Sequence, residues 1–210
     1  MTALIAAFLL AAPLTLESDP AHSSAGFSVK HMMVTTVRGE FSKVQSTLTW
    51  DKEDPSKSSV EAKIDVASVD THNEKRDAHL KSPDFFDVAK CPDITFKSTK
   101  VEKAGDKYKV DGNLTLHCVT RPVTLEVEGP GQGVKSPWGT LSYGVSATTK
   151  VNRKDFGLVW NKALEGGGVV VGEDVNVNLD LEFTPKPAAA AAEAKAETKE
   201  TKTESKGKKK

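Results

Sequence analysis

The sequence predicts an all-β fold, a single antiparallel barrel of about eight strands with one short helical crossover. Three observations lead to this prediction. Apolar and polar residues alternate along most of residues 22–184, which is the period of strands with one buried face. Glycine- and proline-rich turns separate the alternating segments. The chain of 210 residues is also long enough for one good hydrophobic core.

The first sixteen residues are expected to be a segment that precedes the fold. Residues 3–12 form an apolar block that ends at Pro13, and secretory signals carry a hydrophobic region of about 7–15 residues. No Lys or Arg precedes the block, and a buried N-terminal helix is the alternative interpretation. We expect residues 1–16 to act as an export signal and the mature protein to lie in the periplasm or outside the cell.

The alternating segments, taken in chain order, justify the strand count. They lie near residues 27–31, 60–66, 94–96, 108–116, 123–127, 141–147 and 175–183. Segments near 34–50 and 155–161 bring the count to about eight or slightly more. The exception is 73–88, which is polar and interrupted by Pro83 and therefore predicts a crossover with one or two short helices.

Strands of this number and length, with one apolar face, form either a sandwich or a closed barrel. Tight turns between most of the segments favour the barrel, because closure removes unpaired edges. A barrel of about eight strands is either filled by its own side chains or holds a small ligand. The domain is expected to span residues 17–185.

The C-terminal segment, residues 186–210, is expected to be a disordered tail. It contains no Val, Ile, Leu or aromatic residue, so it cannot bury enough surface to offset the entropy of ordering. It holds eight Lys and four Glu, which leaves residues 1–185 with a formal net charge of −4.

Composition and motifs exclude several classes of function. The net charge of zero argues against nucleic acid as the main partner, because neutralising phosphates needs a basic excess. No apolar run reaches the roughly 18 residues of a transmembrane helix. The five histidines are not paired at metal-ligand spacing, and no G-x-S-x-G, Walker or H-E-x-x-H motif occurs. We therefore expect no enzyme, no metal and no cofactor.

Two cysteines, Cys91 and Cys118, leave a disulfide open at this point. A hairpin across residues 104–106 places them opposite each other, and an exported chain meets an oxidising compartment. Matching the apolar faces of the two strands, however, shifts the register by one residue and points the two side chains to opposite faces. A bulge at Pro92 would reconcile the two requirements.

Several motifs resemble the YceI-like family of bacterial periplasmic proteins. They are ESDPAHSSAGFSVKH at 17–31, VRGEF at 37–41, the R-D-x-H-L-x-S-x-D-F-F core at 76–86, P-x-I-x-F-x-S at 92–98, and R-x-D-F-G at 153–157. The resemblance covers about residues 17–184. This sequence departs from the family pattern at Cys118, where glycine is common, and in its Lys- and Ala-rich tail.

The resemblance implies a lipocalin-like barrel around an apolar tunnel. It implies binding of a long-chain polyisoprenoid or similar amphipathic lipid, for carriage or storage and without chemistry, by a homodimer. A structural or stress-related module with a packed barrel, binding another protein, is the alternative. His31 or Arg38 is expected to orient a lipid head group. The expected tunnel wall is Phe27, Val29, Phe41, Ile64, Phe96, Leu114, Leu116, Val145, Phe156, Trp160, Val177, Leu179 and Leu181.

Overall fold

A computed structural model of the protein describes residues 12–186, and most of these residues lie in antiparallel strands. None of the helices in this part of the chain is long and apolar enough to span a membrane. The elements are β1 (Leu14–Ser18), β2 (Ser24–His31), β3 (Thr35–Phe41), β4 (Val44–Trp50), β5 (Ser59–Asp65), β6 (Val69–Asp70), α1 (Glu74–Lys81), β7 (Asp93–Ala104), β8 (Lys107–Leu116), β9 (Val119–Glu128), β10 (Val134–Lys135), β11 (Leu141–Asn152) and β12 (Val171–Pro185).

The strands form a closed antiparallel barrel whose wall is eight strands wide, as the sequence predicts. Three of these eight wall strands are each interrupted and therefore consist of two consecutive elements, namely β1 and β2, β3 and β4, and β5 and β6. The other five are β7, β8, β9, β11 and β12. The barrel closes because β12 pairs with β11 along one edge and with β1 and β2 along the other.

The barrel begins slightly earlier than residue 17, where the sequence analysis placed its start. β1 pairs with both β4 and β12, and Leu16 is fully buried between them. Burying a leucine is worth about 1.5–3 kcal/mol, so this strand contributes to the core. The apolar block of the expected export signal and the expected disordered tail lie largely outside the described residues.

One segment expected to be a strand, residues 155–161, does not pair with the sheet. Arg153–Phe156 instead forms one turn of 3-10 helix. Asn152 caps this turn by accepting a hydrogen bond from the backbone N–H of Lys154, and Gly157 ends it with a positive φ of 80°. A capping Asn before the turn and a glycine after it override the weak alternation between them.

The structure contains a disulfide between Cys91 and Cys118, whose Cα atoms are 5.5 Å apart. The β7–β8 ladder has the register that matches the apolar faces, with Phe96 opposite Leu114. Its irregularity lies between Ser98 and Lys100 and not at Pro92, where a bulge would have reconciled the two registers. Cys118 has a positive φ of 59° in the turn between β8 and β9, and strand alternation therefore does not fix its direction.

The crossover between β6 and β7 carries α1, in agreement with the predicted crossover near 73–88. Asn73 caps the helix by accepting a hydrogen bond from the backbone N–H of Arg76 at 3.0 Å. The helix ends at Lys81 because the Ser82–Pro83 bond disfavours a further helical residue. The crossover packs over the end of the barrel that holds the β2–β3 turn and the β8–β9 turn.

Candidate functional site

An apolar cavity of about 250 Å³ lies inside the barrel. Every second residue of β4, namely Val44, Ser46, Leu48 and Trp50, lines it. With a rise of about 3.3 Å per residue, this stretch spans roughly 20 Å. The cavity is therefore long for its volume, which suits an extended chain better than a compact molecule.

Most of the residues expected to form the tunnel wall do line this cavity. Alternation along the strands places one face inward, and eleven of the residues lie on that face. They are Phe27, Val29, Phe41, Ile64, Phe96, Leu114, Leu116, Val145, Val177, Leu179 and Leu181. Their role in binding a ligand stays a prediction.

Four expected residues do not line the cavity, and each has a physical reason. His31 is the last residue of β2, at the rim of the barrel and beyond the cavity. Arg38 is an exposed residue of β3. Phe156 is buried in the core from the 3-10 turn after β11. Trp160 follows in an irregular loop, and its ring packs on the crossover instead of facing the cavity. Period-two reasoning does not apply to a segment that is not a strand.

Three apolar residues of the crossover complete the wall at one end, and the sequence analysis did not include them. Leu80, Phe85 and Phe86 line the cavity, and the Phe86 ring packs edge-on against Phe41 with centroids 5.6 Å apart. The available signal was their size, because they are bulky apolar residues in an otherwise polar segment. We call residues 71–92 the lid.

The motif at residues 76–86 builds much of this lid. Arg76 donates from Nε to Thr71 Oγ1 and from a terminal nitrogen to the Thr71 carbonyl, both at 2.7 Å. Asp77 accepts from the Thr71 backbone N–H at 3.0 Å, and His79 pairs with Asp84 at 2.9 Å. These bonds fix where the helix starts and where the loop after it turns.

Two further contacts fasten the lid to the barrel. The His79 ring packs edge-on against Phe85 and against Trp160, with centroids 5.0 Å apart in each case. The disulfide joins Cys91, at the end of the lid, to Cys118 in the β8–β9 turn. The lid is therefore held at both its helix and its C-terminal end.

At the opposite end of the cavity, aromatic side chains again form the wall. Trp50 packs edge-on against Tyr108 with ring centroids 5.3 Å apart, and Gly129 and Pro130 of the β9–β10 connection lie beside the cavity. Edge-to-face aromatic pairs of this kind add about 0.5–1.5 kcal/mol beyond their buried area. Packed aromatic rings therefore form part of the cavity wall at both ends.

The polar groups around the cavity are engaged with the protein. Ser46 donates to the Glu61 carbonyl at 3.0 Å. Arg153 is 4% exposed and donates to the backbone carbonyls of Leu158, Val171 and Gly172. Burial lowers the pKa of the Arg153 guanidinium from its ordinary value. Among the cavity-lining residues of the described chain there is no Asp, Glu, Lys or His.

The structure also brings together Asp19, His22 and Glu182, which the sequence analysis did not associate. One potential ligand atom from each lies within 4.8 Å of the others, on the outer surface where β1 meets β2. Asp19 Oδ2 lies 3.2 Å from His22 Nδ1, and this hydrogen bond raises the pKa of His22. The pKa of Asp19 is lowered first by the hydrogen bond from the Ala21 backbone N–H and then by the bond to His22. The Asp19–His22 pair and the hydrogen bond from the Asp19 N–H to the Glu182 carbonyl, 2.7 Å, bring the three residues together.

Comparison with known proteins identifies the family. The model of the YceI-like domain matches residues 16–183, which is most of the chain. The chain belongs to the YceI-like family. The YceI protein of Salmonella newport (strain SL254) is 40% identical over 149 residues, which cover 71% of this chain and 78% of the relative. Proteins of the YceI family are periplasmic in bacteria.

Solved structures show the same architecture. The YceI protein of Campylobacter jejuni is 31% identical and superimposes with a TM-score of 0.63, covering 75% of this chain and 90% of the other. A polyisoprenoid-binding domain from Saccharophagus degradans shares the fold at 14% identity, with a TM-score of 0.59 over 82% of this chain and 99% of the other. The lipocalin-like YceI barrel is therefore the fold of this protein.

Proposed function

We propose that this YceI-family protein binds one long-chain polyisoprenoid or similar amphipathic lipid inside its barrel, without chemistry, for carriage or storage. The observation that carries the proposal is the apolar cavity, which follows β4 for roughly 20 Å and has no Asp, Glu, Lys or His among its described lining residues. The one charged residue in this lining, Arg153, donates to backbone carbonyls. Such a wall offers dispersion and burial but no directional partner for a polar ligand.

The energetics support a ligand with several isoprene units. Burying a five-carbon unit is worth about 4 kcal/mol, at about 0.8 kcal/mol per carbon. Four units, at about 16 kcal/mol, would exceed even the upper end of the association cost of about 4–15 kcal/mol. Polar contacts to the head group are not required for binding, so the position of His31 outside the cavity is compatible with this proposal.

The family relationship supports the same ligand class. A structural neighbour from Saccharophagus degradans is described as polyisoprenoid-binding, and its barrel corresponds to almost all of the folded part of this chain. We further propose that the chain is exported through its N-terminal apolar block and acts in the bacterial periplasm, and that it acts as a homodimer. Sequencing the N-terminus of the native protein tests export, and recovery of intact residues 1–12 from the cytosol would contradict it.

The direct experiment is extraction of the protein purified from its native periplasm with organic solvent, followed by mass spectrometry of the extract. We expect a single class of long-chain lipid, close to one molecule per barrel. Protein denatured before purification and then refolded without lipid is the control, and its extract should be empty. An empty extract from the native protein would favour the alternative, a barrel that acts only as a protein-interaction module.

A further inference from the structure

An exposed apolar patch lies at the end of the barrel that the lid covers. It comprises Met32, Met33 and Val34 in the β2–β3 turn and Val159 in the loop after β11, and we call it the turn patch. These side chains are 45%, 61%, 76% and 65% exposed. Single exposed hydrophobic residues are common, but several on adjoining segments mark an interaction surface.

Backbone hydrogen bonds join the two segments of the turn patch. The Met32 N–H donates to the Val170 carbonyl at 2.8 Å, and the Val170 N–H donates to the Lys162 carbonyl at 3.0 Å. Asn161 fixes the same loop, because its side chain both donates to and accepts from the backbone of Val171. The β2–β3 turn and the loop after β11 are therefore linked through the backbone of Val170, just before β12.

The backbone conformation of the β2–β3 turn supports a binding role for its two methionines. Met32 and Met33 have positive φ values of 50° and 62°. Asn and Gly occupy such positions in hairpin turns at far lower cost. Neither methionine regains this cost by burial, because both side chains are exposed. An outlier of this kind, kept at an exposed tip, supports a binding role.

The turn patch is connected to the ligand cavity through the lid. Val159 is followed by Trp160, whose ring packs against Phe85 with centroids 5.2 Å apart. Phe85 in turn lines the cavity. Between the turn patch and the cavity therefore lie the Trp160 ring and the lid residue Phe85.

Charge favours an anionic partner at this end. Residues 29–39 and 157–170 carry three exposed cations, Lys30, Arg38 and Lys162, against one acid, Glu165. These two segments are therefore net positive, whereas residues 1–185 together carry a formal net charge of −4. Exposed apolar side chains flanked by Lys and Arg are the pattern of proteins that lie on anionic lipid surfaces.

We propose that the turn patch docks the barrel on a bilayer that contains anionic phospholipid. Methionine and valine side chains enter the boundary between head groups and acyl chains, while Lys30, Arg38 and Lys162 face the phosphates. Docking places the lid against the bilayer, where a lipid can enter or leave the cavity. The transfer of a lipid between bilayer and cavity rests on the proposed function, whereas binding of the turn patch to the bilayer does not depend on it.

Flotation with phospholipid vesicles tests the proposal, using the protein as isolated from its host. Vesicles of phosphatidylcholine alone are compared with vesicles of equal parts phosphatidylcholine and phosphatidylglycerol. The wild-type protein should float with the mixed vesicles, and the double variant Met33→Ser/Val34→Ser should bind them about tenfold more weakly. Trp138→Ser is the matched control, because Trp138 is 90% exposed at the opposite end of the barrel, and it should bind like the wild type.

Several outcomes would overturn the proposal. One is equal flotation of the double variant, which would assign any membrane binding to another part of the chain, such as the lysines at its C-terminus. A second is loss of flotation only in Trp138→Ser. A third is a wild-type dimer that the double variant abolishes while neither protein binds vesicles, which would make the patch an interface between copies.

Uptake of a fluorescent geranylgeraniol analogue from detergent micelles separates this proposal from the proposed function. The double variant should take up the analogue from micelles as the wild type does, because its cavity is unchanged. A wild-type protein that floats with mixed vesicles but takes up no analogue would support docking and contradict lipid binding in the barrel.

Discussion

The Trp160 ring packs edge-on against His79 with centroids 5.0 Å apart, which fastens the loop after β11 to the helix of the lid. Phe85 joins the same cluster and also forms part of the cavity wall. Trp160, which the alternation pattern assigned to the tunnel wall, thus packs against the lid instead. Stability of the lid and retention of a ligand should therefore depend on the same cluster.

Replacing Trp160 by alanine should loosen the lid. We expect the free energy of unfolding to fall by about 2–3 kcal/mol, below the range for a fully buried tryptophan because Trp160 is half-buried. Amide hydrogen exchange in α1 should accelerate. Trp138→Ala is the control and should stay within about 0.5 kcal/mol of the wild type, because Trp138 is almost fully exposed. Unchanged exchange in α1 would contradict the assigned role.

Removal of the disulfide should destabilise the protein. The bond joins residues 27 apart in sequence, and closing a loop of this size contributes about 3–4 kcal/mol on the chain-entropy model. We expect a reductant to lower the melting temperature of the wild type and to leave the variant Cys91→Ser/Cys118→Ser unchanged. Thiol titration under denaturing, non-reducing conditions checks the bond itself, and two free thiols would refute it.

Protonation of His22 should depend on Asp19. The hydrogen bond and the charge of Asp19 raise the pKa of His22 above its ordinary value of 6.5. The contribution of the pair to stability is therefore complete below pH 6.5 and is lost as the pH rises through the raised pKa. Titration of the ring by NMR should show a lower pKa in Asp19→Asn and a smaller decrease in Glu182→Gln. An unchanged pKa in Asp19→Asn would exclude the pair in solution.

The sequence predicted the barrel and most of the cavity wall because alternation is a local signal that the sheet preserves. Val177, Leu179 and Leu181 alternate with polar residues along β12, and all three line the cavity. The order of the strands in the wall follows their order in the chain. Tight turns join β2 to β3, β7 to β8 and β8 to β9, whereas longer connections join the other consecutive wall strands.

Strand alternation does not predict features that depend on irregular backbone. Trp160 lies in a loop whose course is set by Arg153 and its bonds to three carbonyls, and no periodicity describes it. The direction of Cys118 depends on a positive φ in a turn, which alternation cannot express. The lid residue Phe85 reaches the cavity only through the fold of the crossover, although its size was visible in the sequence.

The central claim is that a lipid chain occupies the cavity, and filling the cavity tests it most directly. Ala147 and Thr148 are neighbours on β11, but Ala147 is buried and lines the cavity while Thr148 is exposed on the outer face. The variants Ala147→Phe and Thr148→Phe therefore place the same added bulk inside and outside the barrel.

The measurement is a titration of each folded variant with a fluorescent geranylgeraniol analogue delivered from detergent micelles. The account predicts one analogue bound per barrel in the wild type and in Thr148→Phe, and at least about tenfold weaker binding in Ala147→Phe, whose ring takes the space of the chain. Equal binding by Ala147→Phe and the wild type, with both proteins folded, would show that the cavity is not the site.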